Sequence, residues 1–458
     1  MERKQPLRAV KGMRDILPPE SALWGQIEQA AREILRAYAY QEIRTPLVEP
    51  TELFARGVGE DTDIVTKEMY TWEDWSRPYK GFEKAGEILS REGAGQSLTL
   101  RPEATASVVR AYIEHRMYEQ PGLKKLFYLG PMFRRDRPQK GRYRQFYQIG
   151  AEAIGSESAA VDAEVIEMLI GLLNRLGLTG FTLWLNSVGC AQCRPIYVAR
   201  LREALAKVRG QLCADCQRRS ETNPLRVLDC KVPEDQPIIE TLPTMAGSLC
   251  ADCQKHFEQL QGYLHDRRIP FTLQPRLVRG LDYYTRTTFE FVHGSLGAQN
   301  AILGGGRYDG LSEILGGPSA PGIGFSIGED RLVLALEAVK ESAEQTNELP
   351  LYIAWMGESA FCHAAELARE LRARNVVVEV AADPVKLKKS LEIASRMGAR
   401  NVLIVGEQEL AEGRYPLRDM ARGEQRSVTK EELFQQFAGA SLTQEATPAP
   451  AGKASNSR

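Results

Sequence analysis

The chain has 458 residues, too many for one ordinary domain, so we expect two or three. Hydrophobic residues make up 43% and charged residues 26%, and no run of about 18 apolar residues predicts a membrane span. A net charge of -1 excludes a generally basic coat for nucleic acid but allows a local basic patch. The start, MERKQPLRAVKGMRD, lacks the apolar core of a signal peptide, so we expect a cytoplasmic protein.

The first part of the chain predicts helices and strands in alternation. An amphipathic helix is expected over residues 20–39, followed by a strand in QEIRTPLVEP. Pro46 lies within that strand and cannot donate to a ladder, so the strand should lie at a sheet edge or an interface. Residues 104–115 predict another helix. Two further strands, 125–133 and 144–155, flank the basic loop RRDRPQKGRYR.

The middle of the chain predicts a helix over 157–176, the strand FTLWLNSVG and then a cysteine-rich segment. That segment, about 188–270, is mostly helical and reads as an insertion. The sheet resumes with LVRGLDYYTRTTFEF, 277–291, which predicts a buried strand. Because several strands are joined by loops alone, the fold class is α+β with an antiparallel sheet.

Beyond Arg331 a helix leads into a polar linker, and the pattern then changes to strand and helix in turn. Such alternation predicts a small α/β domain with a largely parallel sheet. The end of the chain is poor in apolar residues and is expected to be disordered. We therefore expect a first domain at 1–332, a linker at 333–349, an α/β domain at 350–438 and a disordered tail at 439–458.

Seven of the eight cysteines lie between residues 190 and 253. They form three CxxC pairs plus Cys230; the pairs are Cys190/Cys193, Cys213/Cys216 and Cys250/Cys253. The first pair with the second, or the second with the third, has a spacing that fits zinc. The alternative is a set of reduced thiols that pack as small apolar groups.

Two features of the strands point to a ligand. Along 144–155, a period of two places Phe146, Gln148, Gly150 and Glu152 on one face, either as a binding surface or as the solvent side of a sheet. The loop before it is rich in arginine, which suits polyphosphate or nucleic acid; the alternative is a charged hairpin tip in solvent.

Arg279 raises a similar choice, because a guanidinium within a strand fit for burial needs a partner. Either it forms a structural ion pair or it meets an anionic ligand. Two glycine-rich runs follow, LGGGRYDG (303–310) and GIGFSIGEDR (322–331), which allow close backbone approach.

Three stretches resemble the motifs of the class II aminoacyl-tRNA synthetases. EIRTPLVEP with its helix is similar to motif 1, GPMFRRDRPQKGRYRQF to motif 2 and GIGFSIGEDR to motif 3. Within that class, LRPEATA, LVRGLDYY and GGGRYDGL resemble the histidyl-tRNA synthetase family of the bacterial type. The resemblance implies an antiparallel catalytic domain with a helical insertion and a C-terminal anticodon-binding domain. It also implies L-histidine, ATP with Mg²⁺ and tRNA(His) as ligands, and a homodimer.

The resemblance assigns the ATP site and the main catalytic cations. Arg134 would hold the α-phosphate and the amino-acid carboxylate, and Arg142 the outer phosphates. Asp136, where the family usually has Glu, would reach the adenine edge, and Phe146 and Arg331 would sandwich the ring.

Arg279 of LVRGLDYY is the second catalytic residue that the resemblance implies, in place of a second metal ion at the α-phosphate. The histidine pocket would comprise Glu103, Ala104, Thr105, Arg134, Gln148, Glu152, Arg279, Tyr283 and Tyr284. Within it, Glu152 and Tyr283 would hold the two imidazole nitrogens. Ala104 stands where the family usually has Gly.

The resemblance also bears on the alternatives. Cysteine-rich insertions occur in this family without a zinc requirement, so structural zinc is not favoured. A non-catalytic paralogue, the regulatory subunit of ATP phosphoribosyltransferase, would lack the C-terminal domain and should lose Arg279 or the motif 3 arginine. A different class II ligase, such as prolyl or threonyl, does not fit LVRGLDYY. The long segment 73–97 has no functional interpretation.

Overall fold

The computed structural model describes residues 6–60, 62–74, 96–296, 300–340, 349–384 and 386–437. The chain divides into two compact units, Met1–Ser342 and Ala343–Arg458. No helix within the described ranges is long and apolar enough to cross a membrane. Most of the segment 73–97, and the whole tail 439–458, lie outside the described residues.

The first unit contains eleven strands among its described residues. In chain order they are β1 (Gln41–Glu42), β2 (Val48–Pro50), β3 (Tyr70–Asp74), β4 (Gln96–Leu100), β5 (Lys124–Phe133), β6 (Gln145–Ile154), β7 (Phe181–Ser187), β8 (Thr272–Leu273), β9 (Thr285–His293), β10 (Ala301–Arg307) and β11 (Gly322–Gly328). Eight of them form one sheet in the order β1-β5-β6-β11-β10-β9-β7-β8, and β2-β4-β3 form a second. The six central strands of the eight-stranded sheet are antiparallel, as predicted.

The helices of the first unit flank this sheet. They are α1 (Glu20–Ala37), α2 (Thr51–Val58), α3 (Thr105–Glu114), α4 (Ala159–Arg175), α5 (Cys193–Val208), α6 (Ala214–Thr222), α7 (Gln236–Glu240), α8 (Ala251–Asp266), α9 (Leu311–Ile314) and α10 (Glu329–Lys340). α1 buries Leu23, Trp24 and Ile27, the apolar stripe that predicted it. α10 covers the first part of the segment assigned to a linker, 333–349.

Pro46 lies between two short strands that both end a sheet. β1 is the edge of the eight-stranded sheet and β2 the edge of the three-stranded one. The continuous strand predicted over QEIRTPLVEP is therefore wrong, since Pro46 lies in neither strand and has no N–H to donate to a ladder. The predicted edge position holds for the two short strands that flank it.

The cysteine-rich segment is mainly helical and interrupts the sheet between β7 and β8. α5, α6 and α7 enclose a small core of their own around Tyr197, Leu201 and Leu205. α8 instead places Leu260 and Leu264 in the main core, against α4. The segment is thus an insertion anchored to the main body by its last helix.

The strand predicted over 277–291 is wrong in its first half. β9 begins at Thr285, and residues 274–284 form loops and turns. Leu277 is buried although it is not in a strand. The apolar residues of this stretch therefore indicated burial correctly, but they did not indicate a strand. Arg279, Tyr283 and Tyr284 are therefore carried by a loop.

The second unit alternates strands and helices, as predicted. Its elements are β12 (Leu349–Trp355), α11 (Glu358–Arg372), β13 (Val378–Val380), α12 (Leu387–Arg396), β14 (Ala399–Val405), α13 (Glu407–Glu412), β15 (Tyr415–Asp419), β16 (Gln425–Val428) and α14 (Lys430–Phe437). β13, β12 and β14 are parallel, while β15 and β16 continue the sheet in antiparallel pairing. The unit has its own hydrophobic core.

Candidate active site

A cavity of about 610 Å³ opens above one face of the eight-stranded sheet. Its floor comes from β6, β9, β10 and β11, and its walls from the start of α3, the loop before β9 and the hairpin between β5 and β6. Twelve of the thirteen predicted site residues line it: Glu103, Thr105, Arg134, Asp136, Arg142, Phe146, Gln148, Glu152, Arg279, Tyr283, Tyr284 and Arg331. Ala104 is fully buried at the N-terminus of α3 and does not line the cavity.

The face of β6 predicted from its period of two is the one that meets the cavity. Phe146, Gln148 and Glu152 all line it, whereas Ile149 and Ala151 belong to the main core. A Cβ atom at Gly150 would lie 2.3 Å from the hydroxyl of Tyr128 on β5. Glycine is needed there because the tyrosine ring crosses this strand to reach the cavity.

Glycine is also needed opposite Glu152. Gly324 on β11 pairs with Glu152 in register, and a Cβ at Gly324 would lie 1.7 Å from Oε2 of that carboxyl. The glycine-rich run of β11 thus gives the Glu152 side chain its space. This is the close backbone approach that the sequence predicted, and the neighbour is a buried carboxyl group.

Glu152 lies at the inner end of the cavity and is fully buried. Its Oε1 accepts a hydrogen bond from the hydroxyl of Thr105 at 2.8 Å. Burial raises the pKa of Glu152 to about 8, because the hydrogen bond from Thr105 offsets only part of the cost of desolvating the charge. A neutral or cationic partner that donates to this carboxyl would remove that penalty.

Glu103 holds the first turn of α3 in place. Its two carboxyl oxygens accept the backbone N–H groups of Thr105 at 2.7 Å and Ala106 at 2.9 Å. Burial raises the pKa of Glu103, and those two backbone bonds oppose the shift. The residue therefore caps the helix and fixes Thr105, which in turn contacts Glu152.

Three tyrosines form an aromatic wall beside Glu152. The rings of Tyr283 and Tyr284 lie 4.9 Å apart, and Tyr308 meets Tyr283 edge-on at 6.0 Å. Burial raises the pKa of Tyr283 well above its ordinary value, so its hydroxyl stays protonated. Tyr128 and Tyr308 were not assigned from the sequence, although Tyr308 lies within the GGGRYDGL motif.

Arg279 forms an ion pair with Glu290, which projects from β9 into the same cavity. Of the two alternatives for this guanidinium, a structural ion pair is thus present. Burial lowers the pKa of Arg279, but Glu290 together with Tyr284 and Tyr283 more than offsets this effect, and the net direction is upward. The Nε atom of Arg279 is buried and has no hydrogen-bond partner in the described part of the chain. Glu290 was missed because it lies between Phe289 and Phe291 and no motif marked it.

Arg134 extends from the end of β5 over the ring of Phe146, with 5.3 Å from the guanidinium carbon to the ring centre. Its Nε donates to the carbonyl oxygen of Pro102 at 2.9 Å. Within the described ranges Arg134 forms no ion pair, and burial lowers its pKa. A buried cation of this kind is poised for an anionic ligand.

Asp136 and Arg142 pair with each other across the loop between β5 and β6. Asp136 also accepts the backbone N–H of Arg137 at 2.7 Å. On the far side of the cavity, Nη1 of Arg331 donates to the carbonyl of Ala301 at 2.9 Å, and burial lowers its pKa. The three charged side chains border the outer part of the cavity.

The insertion adds cations that the sequence did not single out. Arg219 and Arg226 line the opening of the cavity and lie 3.6 and 3.9 Å from a carboxylate oxygen of Asp63. No motif marked them, because their positions depend on how the insertion packs on the main body.

An antiparallel sheet whose cavity is bordered by a basic hairpin, a glycine-rich strand and a buried arginine defines the catalytic architecture of a class II aminoacyl-tRNA synthetase. The comparisons with known proteins agree. A profile described as Histidyl-tRNA synthetase matches residues 88–332, and one described as Anticodon binding domain matches 351–439. The chain belongs to the histidyl-tRNA synthetase family.

Individual relatives cover almost the whole chain. A histidine–tRNA ligase of Koribacter versatilis is 56% identical over 432 residues, which is 93% of this chain and 95% of the relative. One of Solibacter usitatus is 57% identical over 436 residues, or 95% of this chain and all of the relative. The crystal structure of apo histidyl-tRNA synthetase from S. aureus is 37% identical, with a TM-score of 0.75 over 94% of this chain and all of that chain.

Proposed function

We propose that this chain is a histidine–tRNA ligase, which joins L-histidine to tRNA(His) through a histidyl-adenylate. The observation that carries the proposal is the buried carboxyl of Glu152 at the end of a cavity whose outer part is lined by Arg134, Arg279 and Arg331. One end suits a small ring with N–H groups and the other suits phosphates, so the cavity matches an amino acid placed next to ATP.

In the first step, a carboxylate oxygen of histidine attacks the α-phosphorus of ATP. The new bond is carboxyl oxygen to phosphorus; the bond to the β-phosphate breaks, and pyrophosphate leaves with its electron pair. Because both reactants are anionic, positioning and fixed positive charge supply most of the rate. Arg134 would hold the α-phosphate and the carboxylate, with Arg279 on the opposite side of the reacting centre.

Selection of histidine would rest on Glu152 and Tyr283. Among the described residues no cation forms an ion pair with this carboxyl, and its pKa is raised to about 8, so an imidazole that shares one proton with it forms a net neutral pair. The hydroxyl of Tyr283 would bond the second ring nitrogen. Glu103, Thr105, Gln148 and Tyr284 would bind the α-amino group and the neighbouring backbone, with Ala104 behind them.

ATP would lie across the outer cavity. Phe146 and Arg331 both line it and offer an aromatic face and a guanidinium for the adenine ring. Once the ion pair between Asp136 and Arg142 opens, Asp136 would reach the adenine edge and Arg142 would contact the outer phosphates. Mg²⁺ would enter with ATP and neutralise phosphate charge when bound, and the carboxylates that line the cavity fit a divalent cation.

In the second step, a ribose hydroxyl at the end of tRNA(His) attacks the carbonyl of the adenylate, and AMP leaves. We assign catalysis to residues 1–332, with the insertion at about 188–270, and recognition of the anticodon to residues 350–438. The α/β fold of the second unit supports that assignment.

A homodimer in the cytoplasm completes the proposal. Leu47 and Val48 are apolar and 41% and 39% exposed beside the edge strand β2, in the stretch that resembles motif 1. A second copy would cover them. Sedimentation equilibrium should therefore give twice the mass of one chain, and Val48→Glu should lower the measured mass toward that of a single chain.

The test of the function is ATP–pyrophosphate exchange with each of the twenty amino acids in turn. We expect exchange with histidine alone, and charging of tRNA(His) but not of other tRNAs. Exchange with another amino acid, or none with any, contradicts the proposal.

A further inference from the structure

The seven cysteines of the insertion fall into two separate groups in the folded chain. The four-thiol cluster consists of Cys190, Cys193, Cys250 and Cys253. The three-thiol cluster consists of Cys213, Cys216, Cys230 and the carboxylate of Asp235. Within each group, one atom from each side chain lies within 4.8 Å of all the others.

The four-thiol cluster has the dimensions of a tetrahedral zinc site. The sulfurs of Cys190 and Cys193 are 3.7 Å apart, and each lies 3.8 Å from a sulfur of the third CxxC pair. Tetrahedral zinc with Zn–S bonds of about 2.3 Å requires sulfurs about 3.8 Å apart. A disulfide would need about 2.05 Å, so these distances exclude one.

The three-thiol cluster combines sulfur and oxygen. The sulfurs of Cys213 and Cys230 are 4.0 Å apart, and Oδ2 of Asp235 lies 3.3 Å from the Cys230 sulfur. Asp235 is only 1% exposed, and within the described ranges no lysine, arginine or histidine forms an ion pair with it. A buried carboxylate that faces three thiols completes a set of four donors, and zinc accepts this donor set.

Backbone N–H groups donate toward a sulfur in each of the two clusters. Backbone N–H groups of Gln192 and Val232 each lie 3.4 Å from a cysteine sulfur two positions earlier. The other oxygen of Asp235 accepts the N–H of Cys213 at 2.9 Å, which orients its carboxylate. Such outer contacts hold ligands in place around structural metals.

We propose that the insertion contains two structural zinc sites, one in each cluster. The pairing differs from both pairings considered from the spacing, since the first CxxC joins the third, and the second joins Cys230 and Asp235. The proposal also departs from the expectation drawn from the family, in which zinc was not favoured. Simple packing of reduced thiols does not require tetrahedral distances, or a carboxylate among them.

Each site ties the insertion to the catalytic cavity. The four-thiol cluster closes the base of the insertion, and Arg194, adjacent to Cys193, donates to the carbonyl oxygens of Asp282 and Tyr284 in the loop that lines the cavity. The three-thiol cluster fixes α6, which carries Arg219 to the cavity opening. Zinc would thus stabilise a small helical core that presents these residues.

The direct test is elemental analysis of the full-length wild-type chain, prepared without a polyhistidine tag. We expect two zinc ions per chain, and X-ray absorption should give an average first shell of seven sulfurs and one oxygen shared between the two ions. Release of both ions by a thiol-specific mercurial should follow titration of the seven cluster thiols, beyond the one equivalent taken up by the exposed Cys362.

Single substitutions separate the two sites. Cys250→Ser should leave one zinc bound by three sulfurs and one oxygen, and Cys230→Ser should leave one zinc bound by four sulfurs. Cys362→Ser is the matched control, because this exposed cysteine of the second unit belongs to neither cluster, and it should retain two. Wild-type chain that contains fewer than two zinc ions overturns the proposal even if a variant fails to fold.

Discussion

The guanidinium of Arg279 and the carboxylate of Glu290 form an ion pair across the floor of the cavity, 19% and 18% exposed respectively. The pair occupies Nη1 of the arginine and leaves the buried Nε without a hydrogen-bond partner in the described part of the chain. Glu290 therefore holds the cation in place and leaves a donor unused. If Arg279 acts as proposed, it would have a carboxylate partner at rest and a phosphate partner in the reaction.

The first prediction compares Arg279→Gln with Glu290→Gln. Loss of the arginine should slow adenylate formation at least about a hundredfold, because one preorganised charge donor is removed. It should also destabilise the protein by about 1–3 kcal/mol, since Glu290 is left without its partner. Pyrophosphate exchange and thermal unfolding on one preparation measure both effects.

Glu290→Gln separates structure from catalysis, because it breaks the same pair and keeps the cation. If Arg279 acts on the phosphate, this variant should lose less exchange activity than Arg279→Gln. Equal activity losses that track the loss of stability would leave the arginine with a structural role alone.

The face of β6 could be predicted from the sequence because alternation along one strand is a local property. The Arg279–Glu290 pair could not. The two residues are eleven positions apart. The apolar residues around Arg279 suggested a continuous strand, whereas a loop and turns that include Gly280 precede β9. The cysteine pairing was equally out of reach, because three CxxC pairs of similar spacing fit more than one arrangement until the packing of the insertion decides it.

A second prediction moves Arg279 without removing its charge. A Cβ at Gly304, on β10 beneath the guanidinium, would lie 2.5 Å from Nη1 and 2.7 Å from Cζ. Gly304→Ala should therefore displace the side chain and reduce kcat for exchange at least about tenfold, with little change in KM for histidine. Gly310→Ala is the control, since an added Cβ there meets nothing within 4 Å. Unchanged kcat in Gly304→Ala would mean that the position of the cation is not critical.

A third prediction concerns specificity. Glu152→Gln should raise KM for histidine by about a hundredfold and leave KM for ATP within about threefold, because only the imidazole loses a charged partner. Phe146→Leu should show the opposite pattern, since its ring lines the part of the cavity assigned to adenine. Steady-state exchange kinetics with each substrate varied gives both values. Equal weakening of both substrates in Glu152→Gln would show that the two ends of the cavity are assigned incorrectly.

A fourth prediction removes the second unit by ending the chain after Ser342, the boundary between the two compact units. If this unit reads the anticodon, its contacts add affinity for tRNA and leave adenylate chemistry intact. Exchange should persist, while charging at low tRNA concentration should fall at least about a hundredfold. Sedimentation and thermal unfolding check that the fragment stays folded and keeps the assembly state of the full chain. Undiminished charging contradicts the anticodon assignment.

The last prediction follows from the buried carboxyl of Glu152, whose pKa is raised to about 8 in the folded chain by burial. In the unfolded chain its pKa is about 4.3. Below that value both states are protonated, and the group favours neither. Between about 4.3 and 8 the folded state keeps a proton that the unfolded state has lost, so stability falls as pH rises, by up to about 1.4 kcal/mol per unit.

Glu152→Gln removes this titration, because the amide has nearly the shape of the protonated carboxyl and its oxygen can still accept from Thr105. Without histidine, the variant should match the wild type at about pH 4 and exceed it at pH 8 by on the order of 4 kcal/mol in the free energy of unfolding of the first unit. Glu103→Gln is the control: it cannot accept both backbone N–H groups of α3, so it should be less stable at both pH values. Denaturant unfolding of the three proteins at both pH values measures the difference. A Glu152→Gln variant that is no more stable than wild type at pH 8 would show that the carboxyl is already ionised and compensated before histidine binds.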